Sequence, residues 1–224
     1  MRLLQLLLAV AVVALSATFA GAEIIMLCDT YGYDYTMPMP HNLNAPNSYW
    51  AIGDVDNINP AAVATDPTNN WYTFVLATCP PTNVYTDAGW TYYEYVDVDS
   101  VGQFYVYEDP KSTGTLRDYG VNPANATAPS TFSDGTLLLG AKFTYLQIAV
   151  DAAWSTAYLY GEMDFYCGEG WGSLPCYTGW TFDGMAQEVG VPGGYIWAVD
   201  GEVYVEEEIS TEETSWGDIK QMFK

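Results

Sequence analysis

The stretch TAYLYGEMDFY, residues 156–166, decides the fold class. In an extended chain Ala157, Leu159, Met163 and Phe165 fall on one side, and Tyr158, Tyr160, Glu162, Asp164 and Tyr166 on the other. A period of two with aromatic enrichment is what a half-buried strand needs. Upstream, residues 137–150 are apolar with few breaks and read as a strand buried on both faces. Downstream, residues 195–199 and 202–206 flank Asp200-Gly201, whose tolerance of positive φ suits a type I′ turn, so this part reads as a hairpin.

The first half repeats the style. Residues 24–28 and 71–79 are apolar runs. In residues 90–99, Trp90, Tyr92, Val96 and Val98 share one face, and Thr91, Tyr93, Tyr95, Asp97 and Asp99 the other. Residues 103–108 alternate again and read as the second arm of a hairpin with them. Clusters of Pro, Gly, Asn and Asp at 37–47, 57–70 and 119–129 mark loops. Strands at this spacing without a long helical pattern argue for an all-β fold, a sandwich or a closed barrel; the expected form is an antiparallel β-sandwich that admits a jelly-roll order.

The ends carry other information. Arg2, an apolar run over residues 3–15 and Ala20-Gly21-Ala22 form a signal-peptide pattern over residues 1–22. The run is shorter than a spanning helix requires. Its removal leaves 202 residues, enough for one β domain over 23–205, with no integral membrane span expected. The expected location is extracytoplasmic: periplasm, cell surface or medium. Loss of Arg2 takes the net charge from −22 to −23. That field repels phosphate backbones and argues against nucleic acid as a partner. Residues 206–214 read as an acidic linker and 215–224 as a short amphipathic helix. Ser215 and Asp218 form a capping-box-like pair, and Trp216, Ile219, Met222 and Phe223 share the apolar face of a docking tail. The tail would pack on its own domain, on a second copy or on a cell-surface protein.

The ending Ser215-Trp216-Gly217-Asp218-Ile219-Lys220-Gln221-Met222-Phe223-Lys224 resembles the SWGxIKxLF/Y termini of exported proteins from uncultured bacterial lineages. Residues 125–136, and Gly194-Tyr195 before Asp200-Gly201-Glu202, are similar to stretches of the same proteins, which resemble choice-of-anchor β-sandwich proteins. The likeness covers the second half of the chain. It implies a bacterial, exported β-sandwich and carries no catalytic residue.

Cys28, Cys79, Cys167 and Cys176 form an even set in an exported chain. Three connectivities are open. The expected pairs are Cys167 with Cys176, stapling the Gly-rich loop 168–175, and by elimination Cys28 with Cys79. Absence of CxxC spacing disfavours zinc. His41 is the only histidine, and there is no GxSxG elbow, so no hydrolase triad is legible. Met37, Met39 and His41 would suit copper, but the intervening prolines splay them. Asp54 with Asp56, and Asp97 with Asp99, place oxygens two residues apart and are candidate calcium ligands; no other cofactor is expected. Glu94, Glu108, Glu162 and Asp164 are the strand carboxylates a glycosidase could use. Trp171 and Trp180 are the candidate platform for glycan. Asn125-Ala126-Thr127 is a sequon, useful as a loop marker. The sequence therefore predicts a non-enzymatic exported surface, matrix or assembly component. The alternative is a glycan-binding module with or without calcium, and a glycoside hydrolase ranks last.

Overall fold

The computed structural model describes residues 23–37, 42–96, 101–114, 117–119 and 129–207. Met26–Val205 form one compact unit. The two chain ends, Met1–Ile25 and Glu206–Lys224, group separately and are described only over 23–25 and 206–207. The signal-peptide pattern, Met39, His41, Asp97, Asp99, the sequon and the docking tail lie outside the described residues.

Ten strands run in the order β1 (Glu23–Met37), β2 (Ser48–Asp56), β3 (Asn70–Thr78), β4 (Asn83–Asp87), β5 (Trp90–Tyr95), β6 (Gly102–Pro110), β7 (Thr136–Asp151), β8 (Thr156–Cys167), β9 (Trp180–Gln187) and β10 (Ala198–Glu207). Two 3-10 turns, Pro129–Phe132 and Trp171–Ser173, are the only helical elements among the described residues.

The sandwich expectation is corrected by the pairing. Around the sheet the order is β7-β6-β3-β2-β1-β10-β9-β8, and β8 pairs back onto β7. The eight strands therefore close into an antiparallel barrel with no second sheet. β1 and β10 are hydrogen-bonded neighbours, and the Thr30 hydroxyl to Gly201 carbonyl bond joins them further; just before β10, the Asp34 N–H bonds the Trp197 carbonyl and the Ile196 N–H the Asp34 carbonyl. Alternation reports which residues face a core; it is the same whether that core lies between two sheets or inside one closed sheet.

An eight-stranded barrel is just wide enough for side chains to fill it. Here Phe74, Phe104, Phe182 and Phe143 run through the interior, with ring centroids 5.8, 6.0 and 6.4 Å apart in that order. Glycines make room for them. A Cβ at Gly161 would lie 2.6 Å from the Phe143 ring, and one at Gly201 would lie 2.7 Å from the Phe182 ring. Gly201 is therefore a packing position inside β10, where Asp200↔Met185 and Gly201↔Gly184 pair in register with β9. The hairpin expected at Asp200-Gly201 does not form.

The other expected hairpin is also corrected. Segments 90–95 and 103–108 do not pair with each other. Both pair with β7, β6 along its first half and β5 along its second. The true turn is Ala88-Gly89, both at positive φ, which joins β4 to β5 as a two-residue type I′ connection. β3 with β4, and β5 with β6, thus act as two long arms of one hairpin.

No two of the four cysteines are joined in a disulfide. The register shows why Cys28 and Cys79 stay apart. Asp29, beside Cys28, pairs with Asp56. Ala77, two residues before Cys79, pairs with Trp50. From Trp50 to Asp56 along β2 is about 20 Å, whereas a disulfide needs Cα atoms within about 7 Å. Cys28 is buried, and burial raises its thiol pKa. The Cys167 sulfur is turned onto Gly140, and the Cys176 sulfur faces the Thr178 carbonyl.

Candidate functional site

On β8 and β9 the interior positions are apolar, and the outward ones are Tyr, Thr, Glu, Asp, Met and Gln. Among the described residues no helix is long and apolar enough to cross a membrane. With the interior packed, a ligand surface has to lie on the outer wall or at an end.

The outer wall has two aromatic regions. On β1, β2 and β3, Tyr35, Ile52 and Val75 point outward and are buried under Phe132 and Tyr195, with Tyr33, Trp50, Tyr119 and Val191 packed around them. The Thr73 hydroxyl donates to the Phe132 carbonyl, and the Tyr195 hydroxyl to the Tyr119 carbonyl, which fastens this roof.

The second region, on β4, β5, β7, β8 and β9, is open. Register aligns two rows across these strands. One is Tyr85, Tyr92, Ala149, Tyr158 and Met185. The next is Asn83, Glu94, Gln147, Tyr160 and Asp183, continued on β10 by Glu202. Tyr85 and Tyr92 stack with centroids 4.9 Å apart and planes at 12°. Trp90 meets Tyr158 at 5.4 Å across β7, where Ala149 is too small to separate the two rings. Tyr158 is 50 % exposed and Tyr160 41 %. The row ends in an open groove of about 310 Å³ lined by Tyr158, Met185, Asp183, Asp200 and Glu202.

Glu94 holds this surface in place. Its carboxylate accepts from Asn83 Nδ2 at 2.9 Å, Gln147 Nε2 at 3.2 Å, the Tyr85 hydroxyl at 3.3 Å and the Tyr145 hydroxyl at 3.4 Å. Burial, with Glu94 beside it, pushes the Tyr145 phenol up to about 12, so it remains a donor at any working pH. Tyr160 donates to Glu162 at 3.1 Å. The result is a row of fixed ring faces flanked by hydrogen-bond acceptors.

No protein-family model, characterised protein or solved structure matches the chain. The site is therefore read from its own geometry.

Trp180 is wholly buried against Phe165 at 5.6 Å and offers no face to a ligand, which corrects its place in the expected platform. Trp171 packs on Tyr177 at 4.8 Å and donates its indole N–H to the Phe165 carbonyl, so it stabilises the loop after β8. The strand carboxylates are not gathered in one cleft. Glu108 accepts from Asn70 and Tyr72, Asp164 accepts the Gly179 N–H, and Glu94 and Glu162 serve the tyrosines. Asp54 is ion-paired with Arg117, and Asp56 is exposed at the end of β2. Among the described residues no three His, Cys, Asp or Glu side chains gather in a metal-binding group.

Sequence reasoning missed the open row because it set Trp90 and Tyr92 on one face with Val96 and Val98, left Glu94 off that face and did not say which face is wet. In the barrel Tyr93 and Tyr95 point inward and are buried, while Trp90, Tyr92 and Glu94 point out. Glu94, on the same parity as Trp90 and Tyr92, was the available signal.

One interior group is also chemically distinctive. Asp34 on β1 is fully buried, and its Oδ1 accepts the Trp197 N–H at 2.7 Å. Burial pushes its carboxyl up to about 7, against the lowering effect of that bond and of Tyr49. The Tyr49 and Tyr95 hydroxyls are close enough to couple to it, and all three groups sit outside good hydrogen-bond geometry with one another. Above them Trp154, held by the turn that Asp151 organises, stacks on Trp197 at 5.7 Å.

Proposed function

We propose that this protein is a non-enzymatic component of a bacterial cell surface or extracellular matrix, and that it binds uncharged glycan along the open outer face of β4, β5, β7, β8 and β9. The carrying observation is the solvent-facing row Tyr85, Tyr92, Tyr158, with Trp90 against Tyr158, bordered by Gln147, Tyr160, Asp183 and Glu202. Aromatic faces take up the polarised C–H faces of sugar rings, and the bordering carboxylates and amide meet the hydroxyls. A net charge of −22 disfavours anionic glycans and leaves neutral ones admitted. The export pattern at residues 1–22 and the likeness of the tail to exported bacterial proteins support the location.

A printed array of neutral, sialylated and amino-sugar glycans tests the reading. Retention of the purified full chain on neutral glycans, lost in Tyr158→Ala, is the expected result. Binding confined to sialylated glycans, or an empty array confirmed by affinity electrophoresis on soluble neutral polysaccharides, would overturn it.

A further inference from the structure

We propose that two copies of this chain associate by antiparallel pairing of their β4 strands across a two-fold axis at Tyr85. β4 stands at the one open end of the sheet: it pairs with β5 and with no other described strand. All five of its residues, Asn83 to Asp87, are exposed. The strand β2, which covers the neighbouring edge of β3, reaches only as far as the Tyr49 N–H bond to the Thr78 hydroxyl. Natural edge strands are blunted by short length, charged side chains (Lys above all), Pro or a bulge, and of these β4 has its five-residue length and the terminal Asp87. Asn-Val-Tyr-Thr-Asp contains neither Lys nor Pro, and its pairing with β5 runs without a register shift.

The backbone phase selects the register. The two-residue type I′ turn makes Asp87 and Trp90 a hydrogen-bonded pair, and the same phase recurs at Tyr85↔Tyr92 and Asn83↔Glu94. Val84 and Thr86 therefore direct their N–H and C=O groups to the free edge. A two-fold axis at Tyr85 sets Val84 against Thr86 of the second copy and Thr86 against its Val84, which satisfies both. It also sets Asn83 against Asp87 twice, so the strand's only charged residue meets an amide and not another carboxylate. The two Tyr85 residues become a non-hydrogen-bonded pair, with Cα atoms about 4.5 Å apart. Such an isologous contact closes at two copies and cannot propagate. It would join the Tyr85–Tyr92 stacks of both copies into one line, an arrangement that stands whether or not the face binds glycan.

Sedimentation velocity of the full chain at rising salt tests the pairing. Each copy carries −22, so the dimer should strengthen as the screening length falls from about 10 Å at 0.1 M to about 3 Å at 1 M. Thr86→Pro removes an edge-facing N–H and leaves the β4–β5 ladder whole; self-association should weaken by about ten-fold or more with an unchanged circular dichroism spectrum. Mild oxidation of Tyr85→Cys should yield a cross-linked dimer that neither Val84→Cys nor the unaltered chain yields, since only the residue on the axis meets its own copy. A monomer under all salt conditions, self-association indifferent to Thr86→Pro, or equal cross-linking of both cysteine variants would each overturn the proposal. Glycan retention by monomeric Thr86→Pro is scored separately, so failure of one reading does not carry the other with it.

Discussion

The barrel wears two tyrosine-rich outer faces, and they differ in one respect. Around β1, β2 and β3 the outward rings lie under Phe132 and Tyr195, and Tyr35, Ile52 and Val75 are nearly as buried as the interior. Around β5, β7 and β8 no described loop crosses the rings, and Tyr158 keeps half of its surface in water. The roofed face adds a second core to a wall that would otherwise expose it. The open face retains its rings by stacking them and tying their hydroxyls to Glu94 and Glu162. Similar residue types thus contribute chiefly stability in one place and an accessible surface in the other.

The largest effect is expected on the roof. Phe132→Ala removes a fully buried ring from the satellite core and should cost about 3–5 kcal/mol in chemical denaturation. Tyr158→Ala on the open face should cost less than about 1 kcal/mol. Equal losses at the two positions would erase the distinction between the faces.

Next comes the inner side of the same β1 wall. The ordinary Asp carboxyl titrates near 3.8, and Asp34 does so at about 7 in the folded barrel. Between those values the folded state holds a proton that the unfolded chain releases. The Asp34 contribution is therefore fully present below about pH 3.8, declines as pH rises toward 7, and is gone above it. Asp34→Asn should remove a loss of a few kcal/mol between pH 4 and 8, read as the difference between the unfolding curves of the two chains. Parallel pH profiles would show that Asp34 is already ionised in the fold.

The smallest effect is at the tip that carries the open row. Ala88 occupies a positive-φ turn position that favours Asn or Gly, so Ala88→Asn should raise stability by about 0.5 kcal/mol and leave the roofed face untouched. A lowered melting point would mean that the tip is not a type I′ turn.

Strand character was legible in the sequence: residues 156–166 and 137–150 form β8 and β7, and residues 71–78 lie in β3. The pattern admitted a closed barrel beside a sandwich but could not choose it, because closure rests on β1 meeting β10 across more than 160 residues, and a two-residue period carries no such information. β2 and β9 escaped notice because Gly53 and Gly184, which lie beneath close-packed neighbours, break their apolar pattern. Asp200-Gly201 read as a turn for the same reason: a glycine that admits the Phe182 ring looks like one that admits positive φ. For the open face, the outward tyrosines of β8 were separated from its core residues, and the two faces of β5 were separated without a sign of which is wet. Tyrosine suits either side of a barrel wall, and only the pairing Glu94↔Gln147 shows which side is wet.

Calorimetric titration with a soluble neutral oligosaccharide tests the open face as the ligand surface most directly, using the full chain, its Tyr158→Ala form and, as the comparison in the loop after β8, its Trp171→Ala form. The expected result is an affinity at least about ten-fold weaker in Tyr158→Ala, a difference of about 1.4 kcal/mol, with Trp171→Ala unchanged. Undiminished binding by Tyr158→Ala, or a loss confined to Trp171→Ala, would contradict the open face as the binding surface.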